Sequence, residues 1–360
     1  RHTTIIFFIL AFALSNFAQS KDLQTVLKSV VDHAKEASLY QDTVDWKKLE
    51  PEVYSKAANA KTVEDLVPAF NHLLGELGDF HGKIIYKNRP IAFGRRKKPV
   101  PRPDIKADIW SRFQSARMSV ETKLLEDQIG YIRIPAMPMG DNLKMSKEIR
   151  EAVCGLKAQK ADKWILDLRY NGGGNMYPMF EGIAEILGEG IVAGTQSSNG
   201  KQVSTWKIKD SDFYYDEYRA VELPNKCSSN TLPKVAVLTS PYTASSGEAV
   251  AVAFKNRPNT KFFGAKTAGY TTVTDWTELD KGLFMTISIS YYADRTGVAY
   301  QKYVEADVPT KFFLPKESES DIAIQKARKW LIGDNNNIAS NEEDRSELKK
   351  VFSDAIKAVG

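Results

Sequence analysis

The N-terminal part of the chain carries apolar residues with the period of an α-helix. From residue 22 to about residue 77, apolar positions recur at spacings of three and four. Thr62 and Asp65 have the spacing of a capping box at a helix start. Gly78 follows the last apolar position, as at many helix ends. The pattern therefore predicts an N-terminal helical region over residues 21–90, in which residues 79–82 form a turn after the last helix.

From residue 129 onward, short apolar runs alternate with amphipathic stretches. The apolar runs predict strands at residues 129–135, 164–168, 235–238, 262–263 and 284–292, with two more between 194 and 209. The amphipathic stretches predict helices at residues 143–156, 176–187, 248–255 and 321–331. Strands that alternate with helices are typical of a largely parallel sheet with crossover connections. We therefore expect an α/β core over residues 119–333.

The first 20 residues have the features of a secretory signal peptide. Ten apolar residues, 5–14, follow Arg1 and His2, and residues 18–20 fit the small-x-small rule for cleavage. Ten apolar residues are too few to span a bilayer. A buried N-terminal helix is the alternative interpretation of the same run. We expect a signal peptide over residues 1–20 and an exported protein, whether periplasmic, cell-envelope or extracellular. After its removal we expect no stable membrane insertion.

Two further segments are predicted to lie outside the folded core. Four consecutive basic residues and three prolines between residues 94 and 104 predict a stiff, basic linker over 91–118. That linker could contact an acidic substrate or an anionic surface, or could be a solvated loop. Residues 334–360 are predicted to form a C-terminal tail with a short helix over 346–359.

Composition excludes some classes of function. The 360 residues are 42% hydrophobic and 26% charged, as in soluble globular proteins. A net charge of +5 is too small to indicate a nucleic-acid partner. Four histidines and two cysteines show no metal-ligand spacing, so we expect no metal site. We expect no organic cofactor either. Cys154 and Cys227 could pair in an exported protein, but two cysteines leave this open.

Two glycine- and hydroxyl-rich turns carry the candidate chemistry. Residues 239–248 join a predicted strand to a predicted helix, where a serine can act as a nucleophile beside the free N–H groups of the helix start. An ordinary Ser/Thr helix cap has the same appearance. Residues 167–175 contain three consecutive glycines that can present N–H groups to a neighbour. They could also form a plain βα turn, and they match neither phosphate-binding glycine motif.

Four segments, in order, resemble the C-terminal processing (tail-specific) family of serine peptidases, whose relatives include the tricorn protease core and the retinoid-binding repeats. The matching segments are residues 167–174 (family DLRxNxGG), 240–248 (SASASE), 263–270 (GxxTxGK) and 304–308 (GVxPDV). The resemblance covers roughly residues 129–309 and implies a core related to the crotonase and Clp-type folds. It also implies that Ser245, three residues before Glu248, is the nucleophile.

The chain departs from the tail-specific branch at two places. Tyr270 occupies the slot where that branch carries a catalytic lysine, and the pKa of a tyrosine is too high for an easy general base. A lysine displaced to Lys266 is an alternative base, although a solvent-facing lysine would look the same. Residues 91–126 are too few for the PDZ module that the family often carries, so recognition of substrate tails by such a module is not implied.

A second branch of the family uses histidine. Its members carry Asp-x-His after an N-terminal helix, and residues 79–81 match that pattern, which makes His81 the candidate base. A surface-turn histidine is the alternative. The resemblance implies that the N–H groups of Ser246 and Gly173 form the oxyanion hole. Asp275 and Gln301 are the candidates for a third group, which stays open. His33 and His72 lie in helical patterns, so we expect structural roles for them.

These observations predict an exported serine peptidase that hydrolyses peptide bonds in peptides or unfolded proteins. Ser245 would form an acyl-enzyme with His81 as its base. The alternative is a catalytically inactive small-ligand or peptide-binding protein on the same fold. Tyr270 in place of the catalytic lysine would be consistent with such an inactive protein. A crotonase-like acyl-CoA enzyme is a third class, which an exported address disfavours.

Overall fold

The structure is a computed structural model that describes residues 22–94, 114–115, 119–224, 226–227, 232–280, 282–311 and 321–334. The predicted signal peptide, most of the predicted linker and the predicted helix of the C-terminal tail lie outside these residues. Within the described part of the chain, no helix is both long and apolar enough to cross a membrane.

The described chain has a mixed α/β fold with three sheets, which confirms the predicted class. Its α-helices lie at 22–37 (α1), Trp46–Lys56 (α2), Val67–Leu77 (α3), Asn142–Ala158 (α4), Met176–Leu187 (α5), Ser246–Phe254 (α6) and Ile322–Ile332 (α7). Its strands lie at Lys83–Tyr86 (β1), Arg89–Phe93 (β2), Glu121–Leu125 (β3), Ile129–Arg133 (β4), Lys163–Asp167 (β5), Gly190–Gln196 (β6), Gln202–Lys209 (β7), Asp212–Tyr215 (β8), Lys234–Thr239 (β9), Thr260–Gly264 (β10), Thr272–Thr274 (β11), Thr277–Glu278 (β12), Leu283–Thr286 (β13), Ser288–Asp294 (β14) and Val308–Pro309 (β15). The relation of the core to crotonase and Clp-type folds stays a prediction.

The chain divides into two compact units, and each is formed by three separate stretches of the sequence. The described residues of the first unit come from Arg1–Pro101, Ala193–Thr205 and Gly269–Lys302. Those of the second unit come from Arg102–Val192, Trp206–Ala268 and Tyr303–Gly360. The division drawn from the sequence, with a helical region over 21–90 and a core over 119–333, stays a prediction.

In the first unit, the three N-terminal helices bury their apolar faces against a four-stranded antiparallel sheet of order β12-β13-β1-β2. The capping box predicted at Thr62 is confirmed, because Asp65 N donates to Thr62 Oγ1 at 3.2 Å and Thr62 N donates to Asp65 Oδ2 at 2.9 Å. Helix α3 ends at Gly78, whose φ of 69° favours glycine. This end fixes where the following turn, residues 79–82, begins.

Two features of the first unit differ from the sequence prediction. The hairpin of β1 and β2 lies inside the predicted helical region, and its two-residue turn has positive φ at Lys87 and Asn88. The strand predicted over 284–292 is wrong as a single element, because β13 and β14 belong to different sheets. They separate where Ile287 N donates to Asp275 Oδ1 at 2.9 Å and Ser288 N donates to Asp79 Oδ2 at 2.7 Å. Two successive amides are thereby drawn to carboxylates.

The second unit contains a six-stranded sheet of order β15-β10-β9-β5-β4-β3. Its strand pairs are parallel except for the β3–β4 pair, which confirms the predicted parallel sheet. In the register of β5 and β9, Asp167 lies opposite Leu238. The turns that leave these strands, 167–175 and 239–248, therefore start side by side at the carboxyl edge of the sheet, where α/β proteins place their sites.

A disulfide bond joins Cys154 to Cys227, which answers the question that the sequence left open. It ties α4 to the segment before β9, across 73 positions of sequence. Closing a loop of this size restricts the unfolded chain and typically stabilises the fold by about 2–4 kcal/mol.

Candidate active site

Ser245 occupies a strained turn between β9 and α6. Its φ of 53° and ψ of −122° lie in a region that residues with a Cβ rarely adopt. The buried side chain of Glu248 holds this conformation, because Ser245 N donates to Glu248 Oε2 at 3.0 Å. Ser245 is half-buried at the start of the helix. The strand and helix predicted on either side are confirmed.

Glu248 also connects the segments that resemble the family motifs. Its other carboxylate oxygen accepts a hydrogen bond from Thr267 Oγ1. Thr267 Oγ1 in turn accepts from Val304 N at 2.8 Å, and Thr267 N donates to Val304 O at 3.1 Å. Three segments that are far apart in sequence are thus joined behind Ser245. The sequence pattern identified these segments but did not reveal the hydrogen bonds between their polar residues.

The glycine turn after β5 packs directly against Ser245. A Cβ at Gly173 would lie 2.7 Å from Ser245 Cβ and 3.2 Å from Ser245 Oγ, and its φ of 101° also favours glycine. Ala244 N donates to Asn171 O at 2.9 Å, which binds the two turns together. The structure therefore brings together two residues that the sequence singled out, Gly173 and Ser245.

The two candidate oxyanion donors differ in their present partners. Within the described residues, the Ser246 N–H has no protein acceptor. The Gly173 N–H donates to Asn171 Oδ1 at 2.9 Å, so it would have to be shared with an oxyanion. The Ser246 hydroxyl donates to Gly174 O at 2.5 Å and holds the first turn of α6 against the glycine turn.

A buried ion pair that the sequence did not reveal supports the glycine turn. Arg169 donates to both carboxylate oxygens of Asp167, at 2.7 and 3.0 Å, and to Asp321 Oδ2 at 2.6 Å. Burial pushes the pKa of Asp167 upward, but the charge and hydrogen bonds of Arg169 outweigh it, so the pKa is lowered overall. Asp321 caps α7 by accepting from Ala323 N at 3.0 Å. The network joins the end of β5 to α7.

His81 belongs to the first unit, where it lies on the turn after α3. Its own N–H and that of Gly82 both donate to Asp79 Oδ1 at 3.0 Å. Asp79 is fully buried, and burial raises its pKa in spite of these hydrogen bonds. The His81 ring is half-buried, and its Nδ1 lies 2.9 Å from Thr272 Oγ1. The turn is therefore built around the carboxylate of Asp79.

Tyr270, the residue in the lysine slot, packs against the His81 ring. The ring centroids are 5.1 Å apart at an interplanar angle of 71°, and Phe80 contacts Tyr270 in a similar way at 5.2 Å. Edge-to-face contacts of this kind orient aromatic rings. The slot where the tail-specific branch carries its base thus holds a side chain that lines the candidate histidine base.

The remaining candidates from the sequence have other partners. Asp275 Oδ2 lies 2.6 Å from His33 Nε2, and Asp275 Oδ1 accepts a hydrogen bond from Ile287 N. This carboxylate therefore contacts α1 and the residue between β13 and β14. His72 Nε2 lies 2.9 Å from Glu52 Oε2. Lys266 Nζ lies 4.9 Å from the centroid of the Tyr303 ring. Gln301 is exposed.

The sequence profile of peptidase family S41 matches residues 128–310, which is just over half of the chain. The chain belongs to peptidase family S41. This result confirms the resemblance to the C-terminal processing peptidases. The matched S41 region contains the glycine turn, the Ser245 turn and the Thr267–Val304 contact, whereas His81 lies before it.

The chain is also similar to individual proteins in sequence or in fold. The nisin-resistance protein of Lactococcus lactis subsp. lactis is 24% identical over 293 residues, which cover 80% of this chain and 83% of the relative. A lipoprotein from Streptococcus agalactiae has a similar fold, with a TM-score of 0.64 and 23% identity over 85% of this chain and 95% of the other. The photosystem II D1 C-terminal processing protease gives a TM-score of 0.53 and 16% identity over 82% and 95% of the two chains.

We expect Asp167→Asn to lower the free energy of unfolding by about 3–5 kcal/mol, because it leaves Arg169 buried with one of its two carboxylate partners gone. Since the pKa of Asp167 is lowered in the folded state, its stabilisation is present above the unfolded pKa and is lost as the pH falls through the folded pKa. The variant should therefore lose less stability than wild type as the pH falls below about 4, the ordinary pKa of an aspartate. Urea unfolding at several pH values measures both effects.

The matched control is Asp162→Asn, which alters an exposed carboxylate paired with Lys163 at 2.7 Å. It should change stability by less than about 1 kcal/mol. If Asp167→Asn behaves like this control, the buried ion pair does not support the glycine turn.

Proposed function

We propose that this S41 protein is an exported serine peptidase in which Ser245 attacks the peptide carbonyl and His81 takes the serine proton. Peptides or unfolded proteins would be the substrates, and water would hydrolyse the acyl-enzyme without a cofactor. The observation that carries the proposal is the strained Ser245 turn, held through its amide by Glu248 and packed against Gly173, in a member of a peptidase family.

The Ser245 turn has the features of a nucleophile elbow. A sharp strand-to-helix turn exposes the serine oxygen and aims the first N–H groups of the helix at the same place. The Ser246 N–H would donate to the developing oxyanion directly. The Gly173 N–H would do so by sharing its bond to Asn171, and one such donor is worth about 10²–10³ in rate.

The surroundings of His81 suit a base better than those of Tyr270. An imidazole changes protonation near neutral pH, while a phenol does so several pH units higher. A hydroxyl at Nδ1 and an aromatic edge against the ring fix the imidazole in the way that a proton-transfer group requires. This assignment puts the chain in the histidine-bearing branch of the family.

Two observations support an exported address. The Cys154–Cys227 disulfide is of a kind that persists in oxidising compartments and is rare in the cytosol of mesophiles. The predicted signal peptide over residues 1–20 agrees with this, and one protein of similar fold is named a lipoprotein. The periplasm, the cell envelope and the extracellular space all fit.

We expect a fluorophosphonate probe to label the purified protein at Ser245, because an activated serine attacks phosphorus as it attacks a carbonyl. Ser245→Ala should abolish the adduct. His81→Ala should slow labelling by about 10²–10⁴-fold, the usual contribution of a general base. Mass spectrometry of the peptide that contains Ser245 measures the extent and rate of labelling.

Matched controls separate these roles from general damage to the fold. Ser146→Ala removes a buried hydroxyl of α4 that has no hydrogen-bond partner in the described structure, and His72→Ala removes a histidine paired with Glu52. Both should label at the wild-type rate. Absence of labelling in the folded wild type, together with tight binding of a small apolar ligand, would instead favour the inactive binding protein.

Tyr270→Phe should retain most of the labelling rate, within about threefold, because it keeps the ring that contacts His81 and removes only a hydroxyl that is not the base. Tyr270→Ala should be slower, since it removes the ring contact as well. Complete loss of labelling in Tyr270→Phe would contradict the assignment of His81 and place the tyrosine hydroxyl in the proton path. Labelling rates of the three proteins decide between these outcomes.

A further inference from the structure

A chain of hydrogen bonds leads from the His81 ring to a buried carboxylate by way of two hydroxyl groups. His81 Nδ1 lies 2.9 Å from Thr272 Oγ1, which lies 2.9 Å from Ser288 Oγ. Ser288 Oγ is 2.8 Å from Asp79 Oδ1. Thr272, Ser288 and Asp79 are all buried, and all four residues belong to the first unit.

The carboxylate end sets the direction of this chain. Asp79 accepts from the N–H groups of His81, Gly82 and Ser288, at distances of 2.7–3.0 Å. An ionised carboxylate only accepts hydrogen bonds, so the Ser288 hydroxyl donates to it. Ser288 Oγ then accepts from the Thr272 hydroxyl, whose oxygen accepts in turn from His81. That order requires the proton of the neutral ring to be on Nδ1.

We propose that Asp79, Thr272 and Ser288 are positioning residues that hold His81 as the Nδ1–H tautomer, with the lone pair on Nε2. In a serine peptidase this is the form in which Nε2 can take the serine proton, so the catalytic meaning of the inference rests on the proposed function. Asp79 thereby acts on the ring through two hydroxyls rather than by direct contact.

The break between β13 and β14 supports this assignment. The amide of Ser288, the first residue of β14, donates to Asp79, and its hydroxyl donates to the same carboxylate. Ser288 thus holds Asp79 with two hydrogen bonds, and its hydroxyl oxygen forms a third hydrogen bond with Thr272. A carboxylate that served only to cap the turn would need the N–H groups of His81 and Gly82 and no hydroxyl chain.

Three tyrosines lie close to this hydrogen-bond chain. Burial raises the pKa of Tyr40, and burial also raises that of Tyr291, so both stay neutral at physiological pH. Tyr270 lies against the other end of the chain, at the His81 ring.

The test is the tautomer of His81, read from long-range ¹H–¹⁵N spectra of protein with ¹⁵N-labelled histidine at about pH 8, where an ordinary imidazole is neutral. Wild type should carry the proton on Nδ1. Thr272→Val removes the hydroxyl and should convert the ring to the Nε2–H form or to a mixture. Thr272→Ser keeps the hydroxyl and should retain the Nδ1–H form.

Thr271→Val is the matched control, because the neighbouring Thr271 is buried and its Oγ1 has no hydrogen-bond partner in the described structure. It should leave the tautomer unchanged. A wild-type ring protonated on Nε2, or an unchanged Nδ1–H ring in folded Thr272→Val, overturns the inference.

The labelling rate at Ser245 separates this inference from the proposed function. Thr272→Val should slow labelling by about tenfold, the size expected for one lost hydrogen bond, and Thr272→Ser should restore it. An unchanged rate would overturn the positioning role. If the tautomer responds as expected while Ser245 is not labelled in any protein, the proposed peptidase fails and the hydrogen-bond chain to Asp79 stands.

Discussion

The hydrogen bond from Ser245 N to the buried carboxylate of Glu248 is the interaction on which the Ser245 turn depends. It holds a residue with a Cβ at a φ of 53°, a conformation that is costly without support. The same carboxylate accepts from Thr267, whose hydroxyl receives the amide of Val304. One buried acid thus aligns the serine, the start of α6 and two loops of the S41 core. A strained turn of this kind persists only where its surroundings hold it in place.

In each compact unit, a buried aspartate holds the backbone near one candidate catalytic residue. In the second unit, Asp167 pairs with Arg169 and secures the end of β5, from which the glycine turn approaches Ser245. In the first unit, Asp79 organises the turn of His81 and accepts the amide of Ser288, the first residue of β14. Neither acid is itself one of the proposed catalytic side chains. The chemistry proposed for this S41 protein therefore rests on preorganised backbone and on fixed hydrogen-bond directions.

The sequence predicted the local elements well, because periodicity and turn residues are local signals. The capping box at Thr62 and the helix over Met176–Leu187 agree with their predictions. The sequence could not predict that β13 and β14 separate, since one of the two carboxylates that accept the amides at the break, that of Asp79, lies 209 positions from Ser288. Nor could it reveal Thr272 as the partner of His81, because an isolated hydroxyl in a strand has no pattern. The Thr of the GxxTxGK segment was visible as a motif, but its bond to Glu248 was not.

The most direct test of the proposed mechanism is a crystal structure of the protein after reaction with a peptidyl phosphonate. We expect a bond from Ser245 Oγ to phosphorus, with one phosphonyl oxygen about 3 Å from the amides of Ser246 and Gly173. We also expect His81 Nε2 within hydrogen-bond reach of Ser245 Oγ, and His81 Nδ1 hydrogen-bonded to Thr272 Oγ1. An adduct on another side chain, or an imidazole of His81 that lies beyond hydrogen-bond reach of Ser245, would contradict it.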